Sequence, residues 1–342
     1  MGSVKDLVVL EAPSGDRLGR GRFRFSDRYS VFDWGEMPDH IEGKGAALCL
    51  MGACFFEKLE ATGMATHYLG VVGRDGVARR LEDLDGPADT MEIRLVRVIE
   101  PETVGDGYDY SAYRAERGNF LIPLEVIYRN SLPEGSSVFK RLEEGSLRIE
   151  DLGLESLPVP GERLERPVLD VSTKLEATDR YLGWEEAGKI SGLSSEELRE
   201  LKEAALRINE LITRTVEPLG LENQDGKVEF AFDEERRLML VDVLGTPDEC
   251  RFEYRGMPVS KEVARIFYRN TEWAREVEEA KKTDRLGWKG LVRQKPPPLP
   301  ARMKELLSLL YKSCCEGMTG KRFFGAPPLE EILAELGGLI EG

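Results

Sequence analysis

Apolar residues interleaved with polar ones open the chain in a strand-like pattern. VKDLVVLE at 4–11 and RGRFRF at 20–25, the second with Arg and Phe taking turns, read as two strands around a Pro13-Ser14-Gly15-Asp16 turn. Helical spacing follows from about Ala46 to Ala61, where Leu50, Ala53 or Cys54, and Leu59 recur on one side and Gly63 is placed to end the helix. MEIRLVRVI at 91–99 is again a strand. It leads into residues 101–119, rich in Tyr, Asp and Gly (Tyr108, Tyr110, Tyr113), which read as a long loop or an inserted hairpin before the strand FLIPLEVIYR at 120–129. Ser194 and Glu197 have capping-box spacing, and Leu198, Leu201, Ala205, Ile208 and Ile212 form the apolar stripe of the helix they start. KVEFAF and LMLVDVL are two strands around Asp233-Glu234-Glu235-Arg236, and beyond residue 255 helical patterns dominate, interrupted by Pro296-Pro297-Pro298 and Leu299-Pro300. The pattern predicts an α/β chain of the α+β type with antiparallel sheets. Three parts are expected: a β-rich lobe over 1–92, a central α/β domain over 93–255, and helices over 256–342 packing on the central domain.

The hairpin near residue 235 offers the most specific local chemistry. A four-residue turn pairs Phe232 with Arg237, so Lys227 faces Asp242 and Glu229 faces Leu240. Lys227, Glu229 and Asp242 then share one face, with Val228, Phe230 and Phe232 on the other. Glu229 and Asp242 would be diagonal neighbours about 7 to 8 Å apart, within reach of one hard cation such as Mg²⁺; a solvated outer hairpin face is the alternative. Arg129 ends a strand shortly before Gly135-Ser136-Ser137, with Lys140 and Arg141 following. A guanidinium, a hydroxyl and glycine-flanked amides make a phosphate cradle, to which Arg251 could add, although Arg at strand ends and Gly-Ser turns also occur without ligands. Gly2-Ser3-Val4-Lys5 could be a short glycine loop with one lysine. His40 and His67 are the only histidines, and with no nucleophile motif they read as surface or packing residues.

Composition narrows the partners. Lys plus Arg number 48 and Asp plus Glu 63, a formal charge of −15 with no basic run, which argues against polymeric nucleic acid. No stretch approaches the roughly 18 apolar residues of a membrane span, and the start lacks the features of a leader, so a soluble, unexported chain is expected. Five cysteines without ligand spacing fit a reducing cytoplasm. Charged residues reach 32% beside five Asn and two Gln, a bias associated with hot environments.

In order along the chain, GSVKDL (2–7), SDRYSVFD (26–33), GKG (43–45), PLEVIYRN with GSS (123–137), STKLE (172–176), DGKVEF (225–230), VD (241–242), DECRF (248–252), SKEVAR (260–265), PPPLP (296–300) and TG (319–320) resemble one family, the SAICAR synthetases (phosphoribosylaminoimidazole-succinocarboxamide synthases). The resemblance implies a two-lobed fold with an ATP cleft between the lobes and C-terminal helices. It implies ATP-dependent joining of L-aspartate to the carboxylate of carboxyaminoimidazole ribonucleotide with Mg²⁺, through an acyl phosphate, in purine biosynthesis. Carried over, Lys5, Glu229 and Asp242 would serve ATP, the last two also holding Mg²⁺. Arg129, Ser136 and Arg251 would bind the ribonucleotide phosphate, and Lys174, Asp179 and Lys227 would surround the reacting carboxylate. Asp33, Lys261 and Arg265 would contact substrate. Ser3 stands where the family usually has a lysine, Thr178 where many relatives have His, and 101–119 is an insertion. These departures leave room for a ligase or kinase with another acceptor, or a non-catalytic nucleotide-binding protein. A homodimer stays open, because helical surfaces serve packing and dimer contacts alike.

Overall fold

The computed structural model of the chain describes residues 4–105, 107–285 and 287–341, so the Gly2 and Ser3 part of the glycine-loop motif lies outside the described residues. Two antiparallel sheets carry the fold. The first contains β1 (Lys5–Glu11), β2 (Gly19–Phe25), β3 (Tyr68–Val72), β4 (Ala78–Arg79) and β5 (Thr90–Leu95), in the order β1-β2-β5-β3-β4. Segment 101–119 holds a hairpin of β6 (Glu102–Val104) and β7 (Gly107–Asp109) followed by a short helical turn. The second sheet contains β8 (Phe120–Ser131), β9 (Arg163–Thr173), β10 (Glu222–Phe232), β11 (Leu238–Val241), β12 (Cys250–Tyr254) and β13 (Met257–Pro258). Its order is β13-β12-β10-β8-β9, with β11 on the remaining stretch of β10.

The helices are α1 (Lys44–Glu60), α2 (Ser137–Glu143), α3 (Trp184–Ser191), α4 (Ser195–Val216), α5 (Glu262–Arg269), α6 (Glu272–Thr283), α7 (Ala301–Thr319) and α8 (Leu329–Glu341). In α4 the expected capping box is present, and Leu201, Ala205, Ile208 and Ile212 are buried against β8 and β10. Burying each of the larger of these contributes about 1.5–3 kcal/mol. α1 is apolar nearly all round because it is covered twice, by the first sheet and by α7, which also carries α8. The last helices therefore do more than pack on the central sheet: α7 lies along the helix of the first lobe, where Ser308 Oγ donates to the Glu42 carbonyl at 2.6 Å. Cys49 and Cys54 on α1 and Cys314 and Cys315 on α7 are buried and free, as is Cys250. β5 continues the first sheet to Leu95, past the boundary expected at 92.

The GKG segment joins the lobes, and each residue has a separate reason. Gly43 caps α1 at φ 75, a left-handed conformation that suits glycine. A Cβ on Gly45 would lie 2.8 Å from the Ser26 backbone, so only glycine lets the helix approach β2 this closely. Asp27 accepts the amides of Gly43 and Gly45, both at 3.0 Å. Lys44, only 1% exposed, donates to Asp248 at 2.6 Å, and Tyr311 of α7 donates to the same carboxylate at 2.6 Å. A backbone seam runs parallel to this link: Leu240 N donates to Ala65 O and His67 N to Leu240 O, each at 3.0 Å.

Replacing Ser194 by Ala should lower unfolding free energy by about 1 kcal/mol through loss of the α4 cap. Urea denaturation checks this, and an unchanged midpoint would contradict it.

Candidate active site

The central strand β10 organises a polar face. Asp225, Lys227 and Glu229 alternate onto one side of it. Asp225 is in register with Arg129 of β8 on one flank and with Arg251 of β12 on the other. Arg251 grips Asp225 with two nitrogens, Nε at 2.7 Å to Oδ1 and Nη2 to Oδ2. Arg129 is 2% exposed and donates to Asp170 at 3.0 Å and Asp225 at 3.3 Å, while its Nε has no partner among the described residues. Arg141 donates to Asp170 at 2.6 Å and stacks on Tyr181 at 3.9 Å. Arg129, Asp225, Arg251 and Tyr181 wall a cavity of about 320 Å³, whose lining includes Gly135, Ser137, Lys227, Lys261 and Arg265, with Arg141 and Asp170 behind that wall. Five cationic side chains line it against the carboxylates of Asp225, Asp248 and Glu249, so it is locally positive within an acidic protein. Ser136 caps α2, accepting from Val138 N at 3.4 Å; Ser137 is the serine that lines the cavity, its Oγ donating to Tyr181 Oη at 2.8 Å.

Next along β10 lies a buried set of carboxylates and ammoniums. Glu229 is paired in register with Glu125 of β8. Two carboxylates side by side in the interior require cations between them. Lys174, just after β9, donates to Glu229 at 2.6 Å and Glu125 at 3.1 Å, and Lys227 donates to Glu125 at 2.8 Å. Burial pulls the two lysine pKa values down, but the surrounding glutamates more than reverse this, so both stay protonated well above the usual lysine range. Lys5 reaches across from β1 to Asp242 and lies over the Phe23 ring at 4.9 Å. Burial and the nearby Asp242 charge push Glu229 up, whereas Lys5 outweighs burial at Asp242 and keeps it ionised.

The route by which Asp242 arrives differs from the sequence expectation. The observed partners are Glu229 with Val241 and Phe232 with Leu238, one residue off the expected register. The turn takes five residues because Asp233 accepts the amides of Glu235 and Arg237 at 3.0 and 2.8 Å, and Arg236 turns left-handed at φ 62. Regular alternation would then put Asp242 on the wrong face. Asp242 instead sits just past β11 at φ 62, and this local turn aims its carboxylate at Lys5 and toward Glu229. The shared site is present, and a backbone kink produces it where strand alternation was expected to.

Other expected residues take peripheral positions. Asp33, at φ 60 on an exposed loop, pairs with Lys281 at 2.8 Å and lies within electrostatic reach of Arg265 and Lys261. Asp179 is exposed and makes no hydrogen bond or ion pair among those described, within electrostatic reach of Lys174, Lys227 and Glu125. Arg265 donates to Glu262 at 3.1 Å, leaving its buried Nε without a partner. Glu125, Asp225, Asp170, Ser137 and Tyr181 were not singled out in the sequence. Period two would have found Glu125, which shares a face with Arg129, and Asp225, which shares one with Lys227 and Glu229; Asp170 and Tyr181 carry no such signal. His40 is exposed beside Glu36 at 3.0 Å. His67 is buried between Phe23 and Phe56, and its Nε2 donates to the Asp242 carbonyl at 3.0 Å, so it is a packing residue that supports the kink.

The same β10 face continues into a small apolar cluster of Ala231, Met239 and Val241 with Leu18, Val96 and Leu121. Leu7 and Val9 follow Lys5 on its face of β1 and are 52% and 55% exposed.

A family model described as SAICAR synthetase matches residues 13–283. A protein of Archaeoglobus fulgidus, provisionally named a phosphoribosylaminoimidazole-succinocarboxamide synthase, is 53% identical over 341 residues, all of both chains. Among solved structures, the SAICAR synthase of Saccharomyces cerevisiae complexed with SAICAR has a TM-score of 0.64 at 20% identity, covering 95% of each chain. A SAICAR synthetase in complex with ADP has a TM-score of 0.59 at 22% identity, covering 94% of this chain and 97% of its own. At those identities the two structures establish the fold.

Stability should depend on pH through two groups of opposite sign. Burial pushes His67 down to about 4. The unfolded chain therefore takes a proton near pH 6.5 that the folded chain refuses until about 4, and stability falls by about 3 kcal/mol as pH drops through that window. Glu229, with its folded pKa raised, contributes stability that is present below its unfolded value near 4.3 and lost as pH rises. Denaturation from pH 7 to 4.5 should show His67→Gln removing an acid loss and Glu229→Gln removing an alkaline one; parallel curves for wild type and either variant would contradict that group's assignment.

Proposed function

The chain belongs to the SAICAR synthetase family and is an ATP-dependent ligase of purine biosynthesis, and from that premise we propose how its cleft divides the work. Carboxyaminoimidazole ribonucleotide lies along β10 with its phosphate in the cavity of Arg129, Arg251 and Ser137, near the Ser136 cap, and its carboxylate toward Lys174 and Lys227. Four residues separate Asp225 from Glu229, about 13 Å of strand, the scale of a nucleoside monophosphate. The observation that carries the reading is this juxtaposition on one strand face: an arginine-walled cavity beside a buried carboxylate–ammonium set.

ATP lies across the cleft. Lys5 meets its phosphates, and the exposed Leu7 and Val9, which follow it on the same face of β1, receive the purine ring. Two buried carboxylates with oxygen donors only, one of them raised in pKa by burial and by the other's charge, suit a hard cation. Among the described residues no group of three or more ligating side chains exists, so Glu229 and Asp242 would hold Mg²⁺ together with phosphate oxygens and water. The ion, when bound, supplies positive charge at the phosphates. A carboxylate resists amide formation because its leaving group would be oxide. Its oxygen therefore takes the γ-phosphoryl group from ATP, releasing ADP, and the amine of L-aspartate then attacks the acyl carbon and expels phosphate. Lys174 and Lys227, held protonated, act as fixed charges on the reacting oxygens and are not bases. Asp179, which makes no hydrogen bond or ion pair among the described residues, accepts the proton of the attacking ammonium. Lys261 and Arg265, with Asp33 at the rim, receive the aspartate. Positioning and charge neutralisation suffice for such chemistry, which agrees with the absence of a nucleophile motif.

Phosphate release measured with ATP, Mg²⁺, the ribonucleotide and single amino acids should require aspartate; turnover without it would sink this reading in favour of another acceptor. Asp242→Asn should abolish Mg²⁺-dependent turnover. Arg251→Ala should weaken ribonucleotide binding by about 2–5 kcal/mol, because Asp225 is left without its strongest partner, with little change in ATP binding by calorimetry; equal losses for both ligands would remove the assignment of Arg251 to the phosphate.

A further inference from the structure

The reacting groups Lys174 and Asp179 sit on one loop, and the structure ties that loop to the hairpin β6–β7. Residues 174–180 leave the sheet after Thr173 and return at Tyr181, which bridges back to Ser172. The base of the loop is closed by Thr173 N to Arg180 O at 2.9 Å. Its tip has two anchors outside itself. Tyr108 Oη accepts the Ala177 amide at 3.0 Å, and Tyr110 Oη donates to Glu176 Oε1 at 2.9 Å. Glu176 is a buried carboxylate, its side chain 5% exposed, and Arg180 Nη2 donates to the same oxygen at 2.9 Å. The anchored residues 176 and 177 lie midway between Lys174 and Asp179.

The hairpin is itself rooted in the core. The Tyr110 ring packs 5.9 Å from Tyr113, Tyr113 5.7 Å from Phe120, and Phe120 5.5 Å from Phe232 at the far end of β10. Tyr113 Oη donates to the Ile99 carbonyl. The same strand that bears Asp225, Lys227 and Glu229 thus also supports the hairpin that fixes the opposite side of the site. Core packing accounts for the tyrosine rings, whereas each of the two hydroxyls is spent on the loop.

We propose that Tyr108 and Tyr110 are positioning residues, which act through the 174–180 loop to hold Lys174 and Asp179 over the reacting carboxylate. This rests on the roles proposed above for those two residues. A loop free to shift by an ångström would keep its charges but lose the alignment that acyl transfer requires. The ATP-side residues Lys5, Glu229 and Asp242 make no contact with the two hydroxyls among those described, and the loop reaches them through the Lys174–Glu229 pair at 2.6 Å.

The test uses the full chain with Tyr108→Phe, Tyr110→Phe and the double variant, which keep the rings. For the double variant, kcat for SAICAR formation should fall by roughly tenfold or more with the KM for ATP within about twofold of wild type. Amide exchange measured by mass spectrometry should accelerate in peptides covering 174–181 and not in β8 or β10. A kcat within about twofold of wild type, or unchanged exchange in that loop, would overturn the proposal. So would losses of kcat, ATP affinity and melting temperature in step, since they would mark a general structural role. The exchange measurement needs no turnover, so a wild type inactive with these substrates would refute the functional reading and leave the loop anchoring separately decided.

Discussion

Placing like charges side by side in a folded interior is unfavourable unless opposite charges are supplied at the same depth, and the second sheet is arranged around meeting that condition. Glu125 and Glu229 face each other across two strands, and Lys174 and Lys227 lie between or beside them. Asp225 sits between Arg129 and Arg251 in the same fashion, and Asp170 between Arg129 and Arg141. These groups are spread over β8, β9, β10, β12, α2 and the loop after β9, so the charge pattern is satisfied only when those elements come together. Removing a single partner leaves a buried charge behind, which is why the site and the sheet depend on each other.

The closure of the two lobes follows the same rule. Lys44 belongs to the first lobe, Asp248 to the second and Tyr311 to the C-terminal helix α7, and their contact is dry. The backbone seam at Ala65–His67 holds β11 against the approach to β3, and the carbonyl of Asp242 accepts from His67 on that seam. Lys5, at the edge of the first sheet, therefore meets Asp242 because the Lys44–Asp248–Tyr311 contact and the backbone seam have already set the lobes at the needed distance.

Much of this was legible from residue order. The strands at 5–11, 19–25 and 120–131 and the capped helix at 195–216 appear where alternation, capping and turn residues placed them, and residues 101–119, open between a long loop and an inserted hairpin, contain a hairpin at 102–109. What failed was the hairpin register, since a carboxylate that caps its own turn adds one residue and no local pattern announces it. Asp242 reached the site through a left-handed backbone angle, a property that sequence periodicity does not encode. Glu125 and Asp225 were within reach of the same alternation argument that found Lys227. Asp170 and Tyr181, and the hydroxyls of Tyr108 and Tyr110, depend on contacts between distant segments and have no one-dimensional signature.

The buried cysteines have a further consequence. Burial holds all five thiols in their protonated, unreactive form, with Cys314 pushed up to about 12. Four of them lie where α1 and α7 meet, and Cys250 lies against Tyr128 at 3.1 Å in the wall of the arginine cavity. An alkylating reagent can reach the first group only when the helix layer parts from the first lobe, and the fifth only when the second sheet loosens around its phosphate cavity. The chain thus carries two separate chemical clocks, one timing the opening of the helix layer and the other the opening of the site, distinguishable by which peptide acquires the label.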